Sequence, residues 1–108
     1  MVEYSAYNVR KFKTEINGKA LELLSPKVRQ VDEINSFSVR FRTEGVTTDE
    51  IAEIAVLILN RNTNKEQFDK QFVEELEYDI VYRLIFDYIA WVNEIHENPN
   101  SDSPSAQG

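Results

Sequence analysis

A chain of 108 residues holds one domain with a single modest core, and without cysteine it has no disulfide, thiolate metal site or cysteine nucleophile. Its net charge of −7 is unevenly spread. Residues 1–43 carry eight Lys/Arg against five Asp/Glu, a balance of +3, and residues 44–108 carry four against fourteen, a balance of −10. So acidic a half repels phosphates and argues against nucleic acid as the main ligand. The two halves read first as solvated faces of opposite sign, with head-to-tail association of copies as the sharper alternative. The N-terminal MVEYSAYNVRKFK lacks the apolar stretch of a signal peptide, and no run is long enough to cross a bilayer. The expected location is cytoplasm.

Residues 1–8 read as a lead-in. A β-hairpin follows over residues 9–24, turning on Asn17-Gly18, the pair favoured in a type I′ turn because both positions need φ > 0. That turn pairs Ile16 with Lys19, Thr14 with Leu21 and Phe12 with Leu23, which gathers Phe12, Ile16, Leu21 and Leu23 on one face. It also sets Lys13 opposite Glu22 as an opposite-charge pair. Two strands alone are not stable in water, so the apolar face must rest on helices.

Ser25-Pro26 reads as N-cap and first residue of a helix over about 26–42, with Val28, Val31, Ile34, Phe37 and Phe41 on one side. Phe37–Arg42 also alternates with period two, which leaves an extended end open. Thr47 and Glu50 form a capping box opening a helix over about 48–60, with Ile51, Ile54, Ala55, Ile58 and Leu59 inward. Thr63 and Glu66 suggest a second box and a helix over about 65–76, carrying Phe68, Phe72, Val73 and Leu76. The last helix spans about 79–97. Residues 98–108, rich in Ser, Pro and Asn, read as a disordered tail. The fold class is α+β, mostly α: a hairpin packed on three to four helices.

The last helix organises the chain. Val81, Leu84, Ile85, Tyr88, Val92 and Ile95 form an apolar stripe, with Arg83, Asp87 and Glu94 on the far side. Ile80 and Trp91 flank the stripe on one shoulder, and Tyr82, Phe86 and Ile89 on the other. The apolar arc is roughly 240° wide, where a one-sided surface helix needs about 100°. Such a helix is either the centre of the core or shared between the domain and a partner.

Catalytic chemistry finds little support. Glycine occurs only at 18, 45 and 108, so no Gly-rich phosphate loop can be built. The single histidine, His96, has no second nitrogen or sulfur ligand for zinc, and reads instead as a cation near a helix C-terminus. The run Glu74-Glu75-x-Glu77-x-Asp79 lacks the glycine and alternate oxygen ligands of a calcium loop. The aromatics near Tyr82 have only Arg83 beside them, whereas base-stacking platforms pair aromatics with several cations. A non-catalytic binding or assembly protein without cofactor or metal is expected.

The order FKTEINGKALEL (Phe12–Leu23), SPKVRQVDEIN (Ser25–Asn35), TTDEIAEIAVLILNRN (Thr47–Asn62) and AWVNEIHENPN (Ala90–Asn100) resembles the tail assembly chaperones of long-tailed bacteriophages and prophages of Gram-positive bacteria. The likeness spans most of the chain and is one of layout, with no diagnostic motif. It implies a small, mostly helical protein of the host cytoplasm that binds the tape measure protein and helps recruit tail tube subunits. It also implies a short form and a longer, frameshifted form, of which this would be the short one. The family has no catalytic residues to carry over. The residues expected to meet a partner come from the last helix: Tyr82, Phe86, Ile89 and Trp91. Homo-oligomers are expected, without nucleic acid or membrane. Two alternatives are a small acidic regulatory module that mimics DNA and a structural tail or head-completion subunit.

Overall fold

The computed structural model describes residues 10–94. Strands β1 (Phe12–Ile16) and β2 (Lys19–Leu23) form the hairpin in the expected register, Phe12 against Leu23, Thr14 against Leu21 and Ile16 against Lys19. Asn17 and Gly18 have φ of 52° and 81°, as a type I′ turn demands. Phe12, Ile16, Leu21 and Leu23 are all buried. Lys13 does lie opposite Glu22, but the nearest ammonium to Glu22 is that of Lys11, at 3.7 Å. Both partners are only half-buried and reach solvent, so this pair adds little stability.

β2 is also paired on its other side. The Thr63 N–H donates to the Glu22 carbonyl and the Leu24 N–H to the Arg61 carbonyl, both at 2.9 Å. Residues 61–63 thus lie along β2, with Asn62 bridged to Leu23. No strand was expected at residues 61–63.

Helix α1 runs Val28–Thr43, two residues later than expected. Ser25 is not its cap. The Ser25 carbonyl accepts from Arg61 Nε at 2.8 Å, which keeps the chain extended past β2. Gln30 accepts the Lys27 N–H instead, at 2.8 Å. The helix continues through Phe37–Arg42 rather than becoming extended, because Phe37 and Phe41 then stack one turn apart toward the same neighbour. It stops at Gly45 (φ 83°), whose N–H, like that of Glu44, donates to the Arg40 carbonyl.

Helix α2 (Thr48–Leu59) opens with the expected box. The Glu50 N–H donates to Thr47 Oγ1 at 3.1 Å and the Thr47 N–H to Glu50 Oε1 at 2.9 Å. Ile54, Ala55, Ile58 and Leu59 are buried, Ala52 joins them, and Ile51 is half-buried.

The expected helix over 65–76 shrinks to α3 (Lys70–Glu74), and Thr63 does not cap it. Two asparagine amides intervene. Asn62 accepts the Glu66 N–H at 2.8 Å and donates to the Glu66 carbonyl at 2.9 Å. Asn60 does the same for Phe68, at 2.7 and 3.1 Å. Each amide acts as a short piece of strand edge and holds the segment off helix, and Lys65 turns it with φ 60°. Asp69 then caps α3 by accepting the Phe72 N–H at 2.9 Å.

Helix α4 runs Tyr78–Asn93. The expected lead-in, the helix end at 95–97 with Ile95 and His96, and the tail 98–108 lie outside the described residues. Its wide apolar arc is covered from three directions. α2 packs along the central stripe, where Val81, Leu84, Ile85 and Tyr88 are buried. The hairpin covers one shoulder, with the Phe12 ring 6.0 Å from that of Tyr88 and 5.8 Å from that of Trp91. α1 covers the other through Phe37 and Phe41 against Phe86. Tyr88 ties the helix to the sheet by donating to the Leu24 carbonyl at 2.6 Å, and its burial pushes the phenol pKa up. Among the described residues no helix is long and apolar enough to cross a membrane.

Candidate functional site

The four residues expected to meet a partner separate into two groups. Trp91 is fully buried. Phe12 and Tyr88 pack on its ring, the Arg10 guanidinium lies 4.4 Å above it, and Arg10 Nη2 donates to the Trp91 carbonyl at 2.9 Å. Among the described residues Trp91 therefore sits in the core between the hairpin and α4. The reason is that Trp91 lies on the shoulder that the hairpin covers.

Tyr82, Phe86 and Ile89 stay together on the opposite shoulder. Tyr82 is 38% exposed, while Phe86 and Ile89 are half-buried. Tyr78, one turn before Tyr82, was not singled out from the sequence and is the most open of the set at 53%. Its signal was there: Tyr78, Tyr82, Phe86 and Ile89 step at i, i+4, i+8 and i+11, one continuous stripe. The rings run as a ladder, Tyr78 to Tyr82 at 6.2 Å and Tyr82 to Phe86 at 5.0 Å.

The ridge is held from behind. Phe41 meets Phe86 edge-on at 4.9 Å and Tyr82 at 5.8 Å, and Phe37 lies 6.3 Å from Phe86. Such aromatic pairs are worth about 0.5–1.5 kcal/mol beyond their area burial, so α1 fixes the ridge in place. Arg40 on α1 pairs with Glu50 at the start of α2 and links the two helices through a largely solvated ion pair. The Thr47 backbone N–H, and after it the Arg40 guanidinium, hold the Glu50 carboxyl below its ordinary pKa. Phe86 is accordingly part of the α1–α4 seam as well as of the ridge. Tyr78 and Tyr82 present ring surface to the outside and can accept an apolar side chain while their hydroxyls stay wet.

Tyr78 also closes one end of a cleft of about 260 Å³ between α2, α3 and α4, lined by Ile51, Ala52, Val73, Leu76 and Val81. Glu74 is the carboxylate in its lining, and Asp79 lines a separate groove between the hairpin and α4. Lys70 Nζ pairs with Asp49 and lies 3.9 Å from Glu53. On the far side of α4, Arg83 and Asp87 pair one turn apart at 3.1 Å. No group of three or more His, Cys, Asp or Glu among the described residues is placed to hold a metal ion. No protein-family model matches the chain, and neither a curated protein nor a solved structure does.

Proposed function

We propose that the protein is a non-catalytic phage tail assembly chaperone, acting as a homo-oligomer in the host cytoplasm. It binds helical stretches of the tape measure protein, keeps them in solution and helps recruit tail tube subunits. Two things support this reading: the layout that the chain shares with that family, and the aromatic ridge of α4. The ridge is the observation that carries it. Tyr78 and Tyr82 are more than a third exposed side by side on a helix where, of the other large apolar side chains described, only Ile80 on the opposite shoulder is as open. Large aromatic anchors on a rigid support suit the helix-in-groove mode, where a few such side chains supply most of the affinity. The acidic alternative, a mimic of DNA, gains nothing from an apolar ridge beside its carboxylates.

The test is co-expression with the tape measure protein of the same phage, measuring how much stays soluble and co-purifies. Tyr78→Ser/Tyr82→Ser removes exposed ring surface and should keep the fold. Leu84→Ala, 6% exposed at the centre of the stripe, is the contrast. It should cost about 2–5 kcal/mol through the cavity it leaves. The double variant is expected to melt near the wild type yet lose the partner from the soluble fraction. A folded double variant that holds the partner as well as wild type would overturn the reading.

A further inference from the structure

The small sheet has two edges, and the fold closes one of them. Residues 61–63 run along the outer side of β2, held through the Thr63 and Leu24 N–H groups. Among the described residues nothing pairs with the outer side of β1. The two-residue turn makes Ile16 and Lys19 a hydrogen-bonded pair, so Phe12, Thr14 and Ile16 turn their amides toward β2. Lys13 and Glu15 therefore turn their N–H and C=O groups outward. Such an edge is a template for another strand unless proline, a bulge, a shortened strand or unmatched charge blunts it. β1 has no proline, its ladder to β2 is unbroken, and its five residues are an ordinary strand length. Its charges are Lys13 and Glu15, both exposed. Glu15 has Ala20 opposite it, and Glu22, opposite Lys13, pairs with Lys11 instead. Beside the edge lies a groove of about 380 Å³ between β1 and α4, lined by Phe12, Ile16, Ile80 and Leu84 among others. Ile80 is 38% exposed, and neither the core nor the Tyr78–Tyr82 ridge uses it.

We infer that the edge of β1 pairs antiparallel with β1 of a second copy of this chain, across a two-fold axis at Thr14. Three registers overlap most of the strand. Centred on Lys13 or on Glu15, the pairing sets that residue against its own like charge, which is destabilising. Centred on Thr14, it sets Lys13 opposite Glu15 of the second copy and Glu15 opposite the second copy's Lys13. The strand is complementary in charge to itself in that register, and the outward amides of Lys13 and Glu15 supply its hydrogen bonds. On the other face Phe12 meets Ile16 of the second copy, so the apolar row continues through the joint. The added strand lies along the groove and covers Ile80. A contact of this kind is isologous and closes at two copies. The ridge, on the opposite shoulder of α4, stays open. The inference gives a surface to the homo-oligomer proposed above and rests on that part of the reading.

The experiment uses the full chain and sedimentation velocity over a range of concentrations, with thermal melting of each variant as the check on fold. Wild type is expected to populate a dimer. Glu15→Lys, which faces only Ala20 within the hairpin, should weaken it by about tenfold or more, because like charges then meet at both cross-strand pairs. Lys13→Glu should do the same. The deciding arm mixes the two single variants. Each repels its own copies, yet together they place opposite charges at both pairs, so the mixture should recover the dimer at concentrations where each variant alone is monomeric. Should Lys13→Glu melt early because it also faces Glu22, Lys13→Glu/Glu22→Lys restores the hairpin pair and takes its place in the mixture. A wild type that stays monomeric up to about 1 mM leaves the edge to some other extended segment and overturns the inference. A dimer that the single variants do not weaken overturns it too, as does a mixture that stays monomeric. Failure here is separable from failure of the function. A monomer that still keeps the tape measure protein soluble loses the strand pairing and keeps the ridge. A dimer whose Tyr78→Ser/Tyr82→Ser form holds that partner as well as wild type keeps the pairing and loses the function.

Discussion

At position 18 the backbone takes φ 81°, and a Cβ there would meet nothing within 4 Å. Space is therefore not the constraint; backbone conformation is. A β-branched side chain in the left-handed region costs roughly 1–2 kcal/mol, whereas asparagine tolerates it. Gly18→Val should lower the melting temperature by several degrees and Gly18→Asn by clearly less. Equal melting of Gly18→Val and wild type would remove the type I′ turn and the register built on it. The same scale shows why this turn was legible in the sequence. Asn17-Gly18 and the alternation of Phe12, Ile16, Leu21 and Leu23 are local signals that name one register twice. Trp91 was less legible. Its place on the helical wheel is correct, but which neighbour covers that shoulder depends on the hairpin lying across α4, a long-range fact.

Among the elements, α2 followed its local signals and α3 did not. The Thr47–Glu50 box has no competitor and forms as expected. The Thr63–Glu66 pattern has two competitors in Asn60 and Asn62, whose amides claim the Glu66 and Phe68 backbones. Those asparagines are in position only because residues 61–63 pair with β2, so the sequence around Thr63 could not reveal the outcome. The joint between α1 and α2 gives a direct handle on pH. Folding lowers the Glu50 pKa, through the Thr47 N–H first and Arg40 second. Its contribution is thus full above the ordinary value of 4.5 and is lost as pH falls through the lower, folded value. Glu50→Gln should melt below wild type at about pH 7, with the gap closing toward about pH 3. A gap that stays constant over that range would mean the carboxylate charge plays no part in the joint.

For the molecule as a whole, the fold spends most of the apolar arc of α4 on itself. The hairpin takes the Trp91 side, α2 the centre and α1 the Phe86 side. Among the described residues of α4, the large apolar side chains left outside are Tyr78, Tyr82 and, on the hairpin side, Ile80. The width of the arc was legible from periodicity. How it divides between core and surface was not, because that depends on where three separate elements come to rest. The charge asymmetry seen along the chain becomes local in three dimensions, with the acidic run of residues 74–79 bordering the open end of the ridge.

The most direct measurement places a photocrosslinking residue, benzoylphenylalanine, at position 82 in cells that are assembling tails. The same residue at position 29, on the exposed side of α1, is the comparison. The account expects position 82 to capture the tape measure protein and position 29 to capture much less of it. Capture of the tape measure protein no greater from position 82 than from position 29, or capture from position 82 of a second copy of this chain alone, would contradict it.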